Sequence, residues 1–146
     1  MHRSRARIGT LLVLVLAAPT MAADAEIPIS TDEAWRRAIT ALAADNATVT
    51  LSDEKTGIIQ ATHALPLEAG RRCMKLGGRL DKVESRVTIT MKAISPTVTY
   101  VSVSATTQST WYRYRKFVFI RTGRDYDYPA CPAPDRETDL LQRIRR

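Results

Sequence analysis

Histidine is almost missing from this chain: of two in 146 residues, only His63 lies beyond the N-terminal stretch. Histidine is the usual proton carrier near neutral pH, so acid–base catalysis loses its commonest agent. No serine stands in a nucleophile-elbow pattern, and the carboxylates fall on turns and helix ends. A metal centre would need His63, Asp81 and Glu84 to converge, and no recurring ligand spacing suggests it. These shortages point away from an enzyme, a cofactor and a metal. No cysteine precedes Cys73, which excludes an N-terminal lipid-bearing cysteine. Internal repeats, low-complexity tracts and linker-like shifts in composition are lacking too. The one long apolar run, Ile8 to Ala18, is about half the ~20 residues of a membrane-spanning helix.

That run follows Arg3, Arg5 and Arg7 and leads into small residues at Ala22, Ala23 and Ala25, the layout of a cleaved secretory leader. Cleavage after Ala23 or Ala25 fits, and the Ala23-Asp24-Ala25 triplet favours the later cut. The expected organisation is a leader over 1–25 and one domain over 26–146. Removing Arg3, Arg5, Arg7 and Asp24 from 22 cations and 15 anions leaves 19 against 14, a net charge of +5. The expected location is periplasmic or secreted, by bacterial-type export. Cys73 and Cys131 would then meet an oxidising space and pair as a disulfide. Closing their 58-residue separation is worth roughly 4 kcal/mol. The sequon Asn46-Ala47-Thr48 is read as incidental in such a chain.

Ser30 and Glu33 form a capping box ahead of a helix with Trp35, Ala38, Ile39 and Leu42 on one face and Arg36, Arg37 and Thr40 on the other. Trp35 is expected to anchor the core. Val49 and Leu51 open a strand, Asp53 to Gly57 turns it, and a second strand begins at Ile58. A long polar connection then runs from Pro66 to Lys82. Val83, Val87, Ile89, Met91 and Ala93 alternate with Glu84, Arg86, Thr88, Thr90 and Lys92, a half-buried antiparallel strand. Ser95-Pro96 turns into a β-branched strand, and Gln108 to Thr110 is expected to turn again. In the next stretch the part around Trp111 to Lys116 reads as edge-like, and the part from Phe117 onward as core strand. Asp135 is the expected N-cap of a last helix with Leu140, Leu141 and Ile144 as its apolar stripe. The result is an α+β domain, with an antiparallel sheet of about five strands and the N-terminal and C-terminal helices packed on one face.

From Glu33 to Ile59, the order E-A-W, then L-x-A, then V-T-L-S-D-x-x-T-G-I-I resembles the start of helix-grip-type domains in envelope lipoproteins, such as component C of the outer-membrane β-barrel assembly machinery. The likeness covers about 27 residues and implies a helix-grip-like fold and an envelope compartment. This chain departs from it by having no lipidated cysteine and one domain rather than two.

Two stretches suggest contact rather than chemistry. Trp111, Tyr112, Arg113, Tyr114 and Arg115 interleave the residue types that dominate interfaces. Arg71, Arg72, Lys75 and Arg79 make the densest basic run, around Gly77-Gly78, and draw anionic partners. Aromatic and basic residues together also suit nucleic acid, but export removes that partner from reach. The expectation is a non-catalytic exported binding or envelope-accessory protein that contacts an envelope protein or an anionic envelope component. The alternatives are a carrier of a small lipid or metabolite and an inhibitor or immunity-type protein against a hydrolase.

Overall fold

The computed structural model describes residues 22–73, 79–117 and 120–146, and side chains for all of these except 113–117 and 120–125. Along the chain run β1 (Ala23–Ile27), α1 (Thr31–Ala44), β2 (Thr48–Asp53), β3 (Ile58–Ala64), α2 (Leu67–Arg71), β4 (Arg79–Ser95), β5 (Val98–Phe117), β6 (Ile120–Asp127), β7 (Cys131–Pro132) and α3 (Pro134–Arg145). The strands form one antiparallel sheet in the order β1-β5-β4-β3-β2, and β6 and β7 also pair with β5. This is the expected α+β architecture, with seven strands among the described residues rather than about five.

The expected turn at Gln108 to Thr110 does not occur. The chain runs extended from Val98 to Phe117, because Val83–Ser109, Glu84–Gln108 and Lys82–Thr110 pair β4 to β5 straight through that stretch. Polar residues at 108–110 mark a change of surroundings, not a change of direction. The expected long connection from Pro66 to Lys82 also shortens, since it contains α2 and the first rungs of β4. The segment expected to be a leader lies outside the described residues as far as Met21. Ala23, Asp24 and Ala25, which the sequence reading assigns to it, occupy the first three positions of β1 opposite Val103, Ser102 and Val101.

One face of the sheet carries the core. Ile59, Ala61, Val87, Ile89, Met91, Val101, Val103 and Ala105 pack there beneath α1 and α3. The alternation read from Val83 to Ala93 holds as far as Met91, with buried Ser85 as its polar interruption, whereas Ala93 is exposed near the end of the strand. In α1 the fully buried positions are Ala34, Ala38 and Leu42, whereas Trp35 is only partly buried at the margin. The small alanines let the helix lie close to the sheet, which displaces the indole from the centre. Leu140 and Ile144 are fully buried on α3, and Leu141 packs beside them.

The helix ends depart from expectation in instructive ways. Ser30 caps α1 by accepting from the Glu33 N–H at 3.3 Å, but Glu33 does not complete the box. Its carboxylate instead meets Arg37 and Arg36, both at 2.8 Å. The hydrogen bond from Arg37 holds the Glu33 carboxyl below its ordinary range. Arg37 also reaches the Ile144 and Arg145 carbonyls, at 3.5 and 3.4 Å, so it bridges the helices rather than pointing away. The N-cap of α3 is Ala133 with Pro134 at the first helical position, and Asp135 sits inside the first turn. Asp45, at the C-cap of α1 where the helix dipole disfavours a negative charge, is offset by Arg136 at 2.7 Å and Arg143 at 2.8 Å. Only Arg143 aligns as a hydrogen-bond donor to it, and that bond raises the Arg143 pKa above its ordinary value.

Gly57 takes the positive φ expected of the β2–β3 turn, at 70°. A side chain there would collide with the Met91 carbonyl, while the Met91 N–H donates to the Gly57 carbonyl at 2.7 Å.

The outer edge of β5 is shared. β1 pairs with Thr99 to Val103, β7 with Thr106 and Thr107, and β6 with Thr110 to Phe117. Between the first two lies Ala105, whose N–H on that edge would lack a strand partner. Glu137 fills that place: it is 4% exposed, and its Oε1 accepts from the Ala105 N–H at 2.8 Å. The Ala133 N–H donates to the Ala105 carbonyl at 2.9 Å. Replacing Glu137 with alanine strands a buried donor and should cost about 1–3 kcal/mol in a denaturant melt. Glu137→Gln keeps an acceptor and should recover most of the loss; equal melts for the two variants would show that the gap needs no acceptor.

Candidate functional site

Cys73 follows α2 and Cys131 begins β7, and the two form a disulfide with a Cα separation of 5.9 Å. The bond, expected from the sequence, ties the end of α2 to the entry of α3. α2 lies tight on the sheet: a Cβ on Gly70 would come within 2.6 Å of Val83 Cγ2 and 2.9 Å of Ser109 Oγ. Arg71 and Arg72, the next two residues, are exposed at this end of the sheet.

The same end holds much of the proposed contact surface. Arg79 and Leu80 start β4 opposite Tyr112 and Trp111. Arg79 is exposed, while Leu80 is 9% exposed. Trp111 is half-buried against Tyr126 and Tyr128, with ring centroids 5.3 and 5.4 Å away and tilts of 33° and 31°. Tyr128 is 8% exposed; its N–H donates to the Ser109 carbonyl at 2.9 Å, and its carbonyl accepts from Gln108 Nε2 at 2.6 Å. Trp111 is therefore part of a structural aromatic cluster as well as a candidate contact residue. Two tyrosines spaced by two in "YDY" were the available signal for this cluster, and alternation alone did not say which strand they would face.

Beyond Tyr112 the described part of β4 ends, and Arg113 to Phe117 pair with β6 alone among the described residues. The register sets Arg113 opposite Arg124, Tyr114 opposite Gly123, Arg115 opposite Thr122, Lys116 opposite Arg121 and Phe117 opposite Ile120. The strand expected to run on from Phe117 is corrected in its course, and its burial lies outside the described side chains. The chain reverses there, and Phe117 and Ile120 stand at the far end of a two-stranded ribbon. Lys75 and Gly77-Gly78 lie outside the described residues, and of Arg113, Tyr114 and Arg115 only the backbone placement is described.

Two hollows flank this region. A cleft of about 580 Å³ beside the disulfide is lined by Leu65, Glu68, Arg72, Thr107, Pro132 and Asp135, among others. On the helix-free face of the sheet, a groove of about 300 Å³ has Arg86 between Thr62 and Thr106, with Thr88 and Ser104 beside it. The interior between α1 and the sheet is filled by Leu42, Ile59, Ile89 and Val101. His63 is half-buried near the end of β3 opposite Ser85, and Glu84 pairs with Lys82 at 2.6 Å. Among the described residues, no three His, Cys, Asp or Glu side chains gather as a metal site would require.

No protein-family model matches the chain, and no characterised protein matches its sequence. The geometry alone therefore bears on function.

The aromatic cluster yields a direct expectation. Trp111→Ala removes two ring contacts worth roughly 0.5–1.5 kcal/mol each and should lower the melting temperature. An unchanged melt would return Trp111 to the role of a purely exposed contact residue.

Proposed function

We propose that this chain is an exported, non-catalytic binding protein that meets an anionic envelope partner at the end of the sheet where the β5–β6 ribbon stands beyond β4. One observation carries the reading. The stretch from Trp111 to Asp127 holds Arg113, Arg115, Lys116, Arg121 and Arg124 against Asp125 and Asp127, and its outer rungs have no third strand among the described residues. Arg79 pairs in register with Tyr112 at its base, and Arg71 and Arg72 lie beside it. The scaffold beneath is held by the disulfide and the aromatic cluster, so the ribbon is presented from a fixed base.

The disulfide supports an oxidising compartment, periplasmic or extracellular. No helix among the described residues is long and apolar enough to cross a membrane. Cleavage of the leader after Ala23 rather than Ala25 suits β1, because Asp24 accepts from the Tyr100 hydroxyl at 2.8 Å.

The cleft beside the disulfide favours a second reading, a small-ligand carrier: Thr107 is only 7% exposed and lines it, and the size suits a small molecule. A co-purified small molecule in a native mass spectrum, released by Thr107→Val, would favour the carrier; a bare mass would favour docking.

Two further measurements bear on the main reading. A photo-crosslinker at Tyr114 should capture partner from the envelope fraction at least tenfold more than one at Arg36 on α1; equal yields would overturn the assignment of the surface. The hydrogen bond to Asp24 raises the Tyr100 pKa above 10.0. That interaction therefore stabilises the fold fully below about pH 10 and is lost as pH rises through the elevated folded pKa. If the mature chain keeps Asp24, an ultraviolet titration should show Tyr100 ionising late, and Asp24→Asn should bring it earlier. An unshifted Tyr100 in the exported protein would place the cut beyond Asp24.

A further inference from the structure

We infer that the helix-free face of the sheet carries a second site, which takes a carboxylate-bearing sugar: Arg86 holds the carboxylate, and Thr62, Thr88, Ser104 and Thr106 hold the ring hydroxyls. The site lies apart from the β5–β6 ribbon and does not depend on the partner proposed for it.

The strand register builds the site. Thr62, Arg86 and Thr106 stand opposite one another on β3, β4 and β5, and Gln60, Thr88 and Ser104 form the next rung on the same face. Between those rungs Ala61, Val87 and Ala105 turn to the other face and join the core. Neighbouring strands lie about 4.8 Å apart, and positions two residues along a strand about 6.7 Å apart. The two rungs therefore make a small lattice of hydroxyl and amide groups around one guanidinium. A bulge in β2 walls it on one side. The pairing of β2 with β3 slips between Val49 and Leu51, and Thr50 lines the groove while its Oγ1 donates to the Gln60 carbonyl at 3.2 Å. Bulges bend an edge strand and re-aim a side chain. The hollow that results, about 300 Å³, has the size of a small-molecule site.

Free hydrogen-bonding capacity determines what fits. Toward both ends of this face the polar side chains are engaged within the protein. The Tyr100 hydroxyl donates to Asp24 and the Thr110 hydroxyl to Asp127, both at 2.8 Å, and the Gln108 amide donates to the Tyr128 carbonyl at 2.6 Å. In the middle, Arg86 and the hydroxyls of Thr62, Thr88, Ser104 and Thr106 have no side-chain hydrogen bond or ion pair among the described residues, although the four hydroxyl residues are half-buried. Glu84, the carboxylate on the next rung, is held by Lys82 at 2.6 Å. Arg86 is the one charged residue among the described residues that line the groove.

A guanidinium matches a carboxylate in its fork geometry and in charge, one against one. A phosphate dianion would call for a second cation or for free backbone N–H groups, and the ladders to β3 and β5 already use those of β4. A hydrocarbon would leave the hydroxyls without partners. A sugar acid supplies both chemistries: a carboxylate for Arg86, and hydroxyls that donate and accept for residues that do the same.

Isothermal titration of the exported chain with trigalacturonic acid tests the site, with neutral maltotriose, acetate and inorganic phosphate as comparisons. The acidic trimer should bind at least tenfold more tightly than any of the three and should weaken as salt is raised. Arg86→Gln should lower its affinity at least tenfold, and Thr88→Val with Ser104→Ala roughly tenfold together, with unchanged melts. Arg36→Gln on α1 should bind as the unmodified chain does. No binding of the trimer at millimolar concentration, or equal binding of maltotriose, overturns the site. Acetate or phosphate binding as tightly as the trimer overturns the sugar and leaves only an anion site. If the variants fold poorly, the Arg86 Nε–H resonance of the unmodified protein decides: it should move with trigalacturonic acid and not with maltotriose, and a resonance that stays in place overturns the assignment of Arg86. Capture by a crosslinker at Tyr114 reads a different surface, so the two proposals can fail separately.

Discussion

The structure depends on one long strand and on what satisfies its outer edge. β5 runs twenty residues, and β4 alone follows most of its inner edge. Every backbone donor and acceptor on the outer side must still find a partner wherever water is excluded. Three strands from distant parts of the chain divide the task, and the remainder falls to Glu137 and to the backbone of Ala133 and Tyr128. The N-terminal strand, the disulfide-bearing segment and the first turn of α3 are thereby gathered along a single line. A buried carboxylate would ordinarily be a liability in such a place. Here its hydrogen bond to the strand sets the position of α3 along β5.

That arrangement explains the division of the molecule into two ends. Over Val101, Val103 and Ala105 the sheet is covered by α1 and α3, which are clasped by Arg37 on the α3 carbonyls and by Asp45 between Arg136 and Arg143. Toward Ser109 and Trp111 the cover thins to α2, which replaces bulk with closeness at Gly70 and is pinned by the disulfide. Two hydroxyls there, on Ser85 and Ser109, are buried without a side-chain hydrogen bond. The Trp111, Tyr126 and Tyr128 rings close it. From that closed base the ribbon departs, and the candidate site lies where the described pairing with β4 ends.

The sequence by itself determined the elements whose signals are local. The apolar period of α1 and α3, the alternation of β4, the positive φ of Gly57 and the pairing of two cysteines in a chain with no others all follow from short-range pattern and chemistry, and each is found. Tertiary structure decided everything that depends on which neighbour a residue meets. Trp35 yielded the centre of the core to alanines because only a small residue lets α1 approach the sheet. Glu33 abandoned the capping box because Arg36 and Arg37 lie within reach of its carboxylate. The polar stretch at 108–110 stayed extended because β4 supplied it with partners. Periodicity reports that a side chain prefers to leave water, and only the register of strands says whether its own domain supplies the place.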